Sequence, residues 1–255
     1  MLFRSAVLLR PTGPADHTPA VSIATLVERR RLVAAVLTLV LALALCSVAV
    51  SRAVGRAPAD DVAARCERAL SMSHGRATLD TGTGPDVVVI GDSYAVGAGT
   101  SMTTSWPTRL PGRVHVHAFS GSGFSDHASP CGAVSYADRA AAAVADHPGA
   151  LVVVQGGLND HDSSDIDIER GFVRLMRELA GHPVLVVGPP PAPDRAGEVP
   201  RVDGVLHRTA VAFGAAYVSM VDADIDYLDD GLHPSVKGHR QFARIVAREM
   251  RVLIR

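Results

Sequence analysis

Five short apolar runs decide what this chain can fold into. Val87–Ile90, Val114–Phe119, Leu151–Gln155 and Val184–Val187 are rich in valine, and Tyr217–Met220 is a shorter fifth. Valine is stiff at χ1 and favours strands. Runs that stay apolar, without strict alternation, mark strands buried on both faces. Between them lie stretches with helical periodicity at Ser135–Ala145, Ile166–Leu179, Val202–Phe213 and Ser235–Ile254. Strands alternating with helices predict a three-layer α/β/α sandwich around a central, mostly parallel sheet of five strands. In such sheets ligands bind beyond the carboxyl ends of the strands.

The N-terminal part has a different character. Residues 32–51 form an uncharged run of leucine, valine and alanine, directly after Arg29-Arg30-Arg31. Twenty apolar residues in a helix span about 30 Å, the hydrocarbon thickness of a bilayer. Arginines flanking such a run stay cytoplasmic, so everything after Arg52 is expected outside. The run is longer than the usual apolar core of a signal peptide, although Ala49-Val50-Ser51 offers small residues for cleavage. Both outcomes stay open: a transmembrane signal anchor, with the C-terminal domain extracytoplasmic at the cell membrane, or a secreted protein. The expected divisions are a cytoplasmic head at 1–31, the membrane or signal segment at 32–51, a linker (52–60) and N-terminal helix within 52–84, and a folded domain at 85–255.

Composition narrows the partners. Net charge is −1, and five of the 25 basic residues lie in residues 1–51, leaving 20 basic and 24 acidic groups beyond. No basic field for nucleic acid is present. Cys66 and Cys131 are the two cysteines beyond the apolar segment. In an oxidising compartment they permit one disulfide, with two free thiols as the alternative.

Three polar motifs follow strand ends or precede the last helix. The first strand runs into Gly91-Asp92-Ser93-Tyr94, the third into Gly156-Gly157-Leu158-Asn159-Asp160, and Asp230-Gly231-Leu232-His233-Pro234 stands before the C-terminal helix. Serine is a poor nucleophile at neutral pH and needs a base, which in turn needs an acceptor to fix its tautomer. Ser93, His233 and Asp230 supply these parts. Asn159 offers a side-chain amide to a developing oxyanion.

With Ser120-Gly121-Ser122-Gly123-Phe124 after the second strand, these motifs make four ordered blocks. In them the chain resembles the SGNH hydrolase superfamily, the GDSL-type esterases and lipases, over Asp86 to Arg255. Tyr94 stands where that family often has leucine or isoleucine. The resemblance implies the SGNH, flavodoxin-like fold. It implies Ser93 as nucleophile, His233 as base and then acid, and Asp230 orienting His233. The oxyanion hole would comprise the Ser93 N–H, the Gly121 N–H and the Asn159 side chain, with Gly123 an alternative to Gly121. It implies no cofactor and no metal.

The expected activity is hydrolysis of acyl esters, with short chains favoured because no long apolar lid insertion is present. Envelope material such as acylated polysaccharide or lipid is the expected substrate. An O-acyltransferase acting on envelope glycans uses the same residues, and a non-catalytic envelope-binding domain of the same fold is the third alternative. The loop carboxylates of Asp160-His161-Asp162 and Asp222–Asp226 are read as solvated. Gly188–Val202 is read as a rim shaping the pocket, and Trp106 as either a subsite wall or core. Oligomeric state is not legible.

Overall fold

The computed structural model describes residues 23–253, with side chains described for 30–42 and 61–253. The head at 1–31 therefore lies mostly outside the described residues, as do the side chains of the second half of the apolar run 32–51. No helix among the described residues is long and apolar enough to cross a membrane. The chain divides into two units, Met1–Pro58 and Ala59–Arg255. In the first unit the backbone is helical from Ile23, and the described side chains of Leu32, Val33, Val36, Leu37, Leu39, Val40 and Leu41 are 57–66% exposed. This helix, α1, is Ile23–Ala77, so helical backbone runs through the stretch 52–60 read above as linker. Alanine and arginine there are strong helix formers.

The second unit is built on one five-stranded sheet. Its strands are β1 (Asp86–Gly91), β2 (Arg113–Ala118), β3 (Leu151–Gln155), β4 (Val184–Val187) and β5 (Ala216–Val218). Their spatial order is β2-β1-β3-β4-β5, and every pairing is parallel. That order places the topological switch between β1 and β3, where a crevice opens at the strands' carboxyl ends. Thr81 pairs antiparallel with Val114 on the outer side of β2.

Alternation along β1 explains the three layers. Val87 and Val89 pack with Trp106, Phe242, Val246 and Met250 on one face. Val88 and Ile90 pack with Phe124, Tyr136, Phe172 and Leu206 on the other. Trp106 is fully buried, its ring 5.1 Å from that of Phe242, so it is core and not a subsite wall.

Helix starts follow from caps. Before α3 (Tyr136–Val144), Ser135 and Asp138 form a reciprocal capping box, and before α4 (Asp165–Glu178), Ser164 accepts from the Asp167 N–H. Helix α5 (Val199–Ala212) begins three residues earlier than its apolar pattern predicts, because Pro200 sits in the first turn, where its missing N–H is not needed. The last helix, α6, is Val236–Leu253. The four-residue helix after β1, α2 (Ser93–Val96), is described with the site.

The compact unit begins well before Asp86. Ala69 and Arg76, on the last turns of α1, are buried, and Cys66 is bonded to Cys131 with their Cα atoms 5.4 Å apart. Closing a loop across 65 residues removes unfolded-state entropy equivalent to about 4 kcal/mol. Reduction, or Cys66→Ser, is predicted to lower unfolding stability by up to about that amount, read as a shifted midpoint in denaturant. An unchanged midpoint after complete reduction would contradict the role given to this bond.

Candidate active site

β1 ends at Gly91, where a Cβ would stand 2.6 Å from the Cβ of Ala95. Only glycine lets the chain turn this tightly from strand to helix. Asp92 then caps the short helix, its Oδ1 accepting from the Tyr94 N–H at 3.0 Å. Burial pushes the Asp92 carboxyl up to about 6, against the opposing pull of that hydrogen bond. Asp92 and Tyr94 are buried, whereas Ser93 between them is partly exposed. The turn ends at Gly97 with φ 91°. Ser93 thus stands at a helix start just beyond the carboxyl end of β1.

The glycine loop after β2 is held from two sides. The Phe119 N–H donates to Gly91 O at 3.1 Å, and the Ser122 N–H donates to Phe119 O at 3.1 Å. Gly121 has φ 84°, and a Cβ there would meet nothing within 4 Å. At Gly123 a Cβ would come 2.5 Å from Asp160 Oδ2. Gly121 faces open space, therefore, while Gly123 is packed inward. Among the described residues, neither the Ser93 N–H nor the Gly121 N–H has a hydrogen-bond acceptor.

The third block grips this loop. After β3, Gly157 (φ 112°) leads into a 3₁₀ turn, Leu158–Asp160. Asn159 Nδ2 donates to Ser122 O at 2.8 Å, which leaves its second N–H uncommitted. Asp160 accepts from the Phe124 N–H at 3.0 Å and the Ser125 N–H at 2.8 Å. Its side chain is fully buried, which corrects its reading as a solvated carboxylate. Burial pushes its carboxyl up to about 7, against the pull of the two backbone N–H bonds. Arg139, partly buried, donates to Gly91 O, His117 O and the Ser122 hydroxyl, tying β1, β2 and the glycine loop together.

The last block is a small hydrogen-bonded loop. Asp230 Oδ1 accepts from the Leu232 and His233 N–H groups, each at 2.9 Å, and Oδ2 lies 2.7 Å from His233 Nδ1. Burial opposes ionisation of Asp230, but these hydrogen bonds outweigh it and hold the carboxyl down at about 2. His233 therefore faces an ionised carboxylate at any physiological pH. The Tyr94 hydroxyl donates to Leu232 O, and the Leu228 N–H donates to His233 O at 2.8 Å. The Asp194 N–H donates to Gly231 O at 3.0 Å. The proline-containing segment Gly188–Val202 thus braces this loop and contributes no wall to the cavity.

Ser93, Gly121, Asn159 and His233 line one cavity of about 400 Å³, and Asp230 stands behind His233. Ser93 and His233 share no hydrogen bond among the described residues; such contacts commonly tighten only when substrate binds. One wall is α1, through Arg65, Arg68, Ala69 and Met72, beside Cys131. Sequence reading missed this wall, although a Cys66–Cys131 bond would have brought α1 to the loop after the glycine block. It also missed Tyr94 as a brace for the histidine loop. A larger cavity of about 670 Å³ lies along α6 among Arg109, Arg240, Arg244 and Arg248, but no hydroxyl or imidazole lines it.

Comparison with known proteins bears on the fold and the family. Among solved structures, the carbohydrate acetylesterase Est24 from Sinorhizobium meliloti is 18% identical with a TM-score of 0.56, covering 67% of this chain and 100% of its own. The M. smegmatis aryl esterase is 18% identical with a TM-score of 0.54, covering 67% of this chain and 100% of its own. At this identity the likeness establishes the fold. No curated protein matches the sequence. The model of the GDSL-like lipase/acylhydrolase family matches residues 89–241, more than half of the chain and all four blocks. The chain belongs to that family and is a carboxylic ester hydrolase of the GDSL type.

Proposed function

We propose that the protein is an extracytoplasmic serine esterase that hydrolyses short acyl esters through an acyl-enzyme. The observation that carries this reading is the convergence of Ser93, Gly121, Asn159 and His233 on one cavity, with Asp230 ionised behind the imidazole. In the first step Ser93 Oγ attacks the ester carbonyl carbon, and its proton passes to His233 Nε2. The Nδ1–H stays with Asp230, which stabilises the imidazolium. The carbonyl oxygen takes up negative charge and accepts from the Ser93 N–H, the Gly121 N–H and the free Asn159 N–H. These donors are fixed beforehand by β1, the glycine loop and Ser122, so they need not reorganise. The imidazolium then protonates the leaving alcohol as the C–O bond breaks. Water, deprotonated by His233, finally resolves the acyl-serine.

The cavity, the disulfide and the apolar segment at 32–51 bear on substrate and place. A volume of about 400 Å³ with open sides suits a small acyl group on a large alcohol. The exposed Arg65 and Arg68 at its mouth favour an alcohol that is hydroxyl-rich or anionic, such as an acylated envelope polysaccharide. The acetyl group and the carbohydrate in the name of Est24, a carbohydrate acetylesterase, fit this reading. A disulfide between Cys66 and Cys131 supports an oxidising compartment. Arg29-Arg30-Arg31 before residues 32–51, with the exposed leucines and valines among them, supports a membrane anchor for the domain.

On nitrophenyl esters of increasing acyl length, wild-type activity is predicted to be highest for acetyl and to fall with length. Ser93→Ala and His233→Ala should abolish turnover, and Asn159→Ala should lower kcat by about 10²–10³. Wild-type rates from Ser93→Ala, or silence on every ester from folded protein, would remove hydrolysis by this serine; the latter would favour acyl transfer. Tyr94→Phe releases the Leu232 carbonyl next to His233. It should lower kcat by roughly tenfold to a hundredfold, as expected for a misplaced base, with KM nearly unchanged. A change confined to KM would contradict the bracing role.

A further inference from the structure

We infer that Asp86, His115 and His147 form a binding site for a divalent transition-metal ion of zinc type, with Asp80 as its outer support. The site lies at the amino end of the sheet. Asp86 is the first residue of β1, His115 lies on β2 beside Val88, and His147 precedes β3. Asp80 is brought to His115 by the antiparallel pairing of Thr81 with Val114. Five residues of strand, roughly 17 Å, separate Asp86 from Gly91 and the ester cavity. No step of the proposed hydrolysis uses these groups.

Hydrogen-bond accounting points to a cation. Asp80 Oδ1 lies 3.0 Å from His115 Nδ1, and Asp86 Oδ1 lies 3.1 Å from His115 Nε2. A neutral imidazole donates from one nitrogen only, so one of these contacts sets a lone pair against a carboxylate unless the ring is charged. Charging His115 satisfies it but leaves its neighbour unserved. His147 Nδ1 is buried with no hydrogen bond, 3.5 Å from Asp86 Oδ2, and its ring stacks on His115 at 3.9 Å. A divalent ion between the three ligands answers both problems. His115 would keep its Nδ1–H on Asp80 and present the Nε2 lone pair. His147 would present its Nδ1 lone pair, and Asp86 a carboxylate oxygen. The two carboxylates balance the ion's charge.

The spacing fits. The three ligand atoms lie within 4.8 Å of one another. Tetrahedral zinc with nitrogen and oxygen ligands at about 2.0–2.2 Å holds its donors roughly 3.3–3.6 Å apart. The His115 Nε2–Asp86 Oδ1 contact of 3.1 Å lies just below that range and the His147 Nδ1–Asp86 Oδ2 contact of 3.5 Å lies within it. Mixed imidazole and carboxylate donors suit zinc, and a histidine whose second N–H rests on a carboxylate is the usual outer-shell arrangement. Final closure needs His147, in the connection between α3 and β3, to turn its ring, which is inclined 25° to that of His115.

Chelator-treated full-length protein should be titrated with Co²⁺ alone, reading its visible ligand-field bands, and then with Zn²⁺, by calorimetry and by displacement of the cobalt signal. The prediction is one ion per chain, lost in His147→Ala and in the isosteric Asp86→Asn, and weakened about 10- to 100-fold in Asp80→Asn. Circular dichroism and ester hydrolysis check that the variants fold, and His182→Ala, at the same end of the sheet, should bind as wild type. Absence of cobalt bands and of zinc heat in wild type would overturn the site. So would unchanged binding in both His147→Ala and Asp86→Asn.

Discussion

Two adjacent side chains hold the active end of this molecule in shape. Asn159 donates to the Ser122 carbonyl, and the Asp160 carboxylate accepts from the Phe124 and Ser125 N–H groups. Together they fasten the turn after β3 to the loop after β2, across β1, which carries the serine. The glycine loop is otherwise held by the Phe119 N–H on Gly91 O, the Tyr136 N–H on Gly123 O and Arg139 on the Ser122 hydroxyl. A buried carboxylate costs free energy unless its hydrogen bonds are strong. Asp160 meets that cost with two backbone donors, and burial still pushes its carboxyl up to about 7. The rigidity needed for preorganised oxyanion donors is therefore bound to a residue that touches no substrate in the proposed chemistry.

The rest of the site follows the same division between reacting and holding groups. Ser93 is partly exposed, while its neighbours Asp92 and Tyr94 are buried and hydrogen-bonded. His233 faces the cavity, whereas Asp230 is spent on three hydrogen bonds to the histidine loop itself. Tyr94 links the two halves, since its backbone belongs to the serine turn and its hydroxyl to the histidine loop. In place of an aliphatic residue, it exchanges plain packing for a directed bond.

Much of this was legible in the sequence. The strands β1 to β4 could be read from valine runs because both faces of a parallel sheet are covered, so burial leaves a continuous local imprint. Ser93, Gly121, Asn159, Asp230 and His233 could be singled out because each sits at a strand end or turn within a short motif. Other features depend on distant partners and leave no local imprint. Nothing near Asp160 marks it as buried, since its donors lie 35 and 36 residues away. The wall supplied by α1 follows from a disulfide spanning 65 residues. The juxtaposition of Asp86, His115 and His147 follows from the register of β1 against β2 and from the connection between α3 and β3. Trp106, ambiguous in sequence, is placed in the core by Phe242.

The central claim is that Ser93 is a nucleophile activated within this cavity. The most direct measurement is mass spectrometry of the protein after treatment with a fluorophosphonate, which phosphonylates activated serines with loss of fluoride. The account predicts one adduct per chain, on the peptide containing Gly91-Asp92-Ser93-Tyr94, formed far more slowly in His233→Ala. An adduct on a different serine, or none on folded protein, would contradict it.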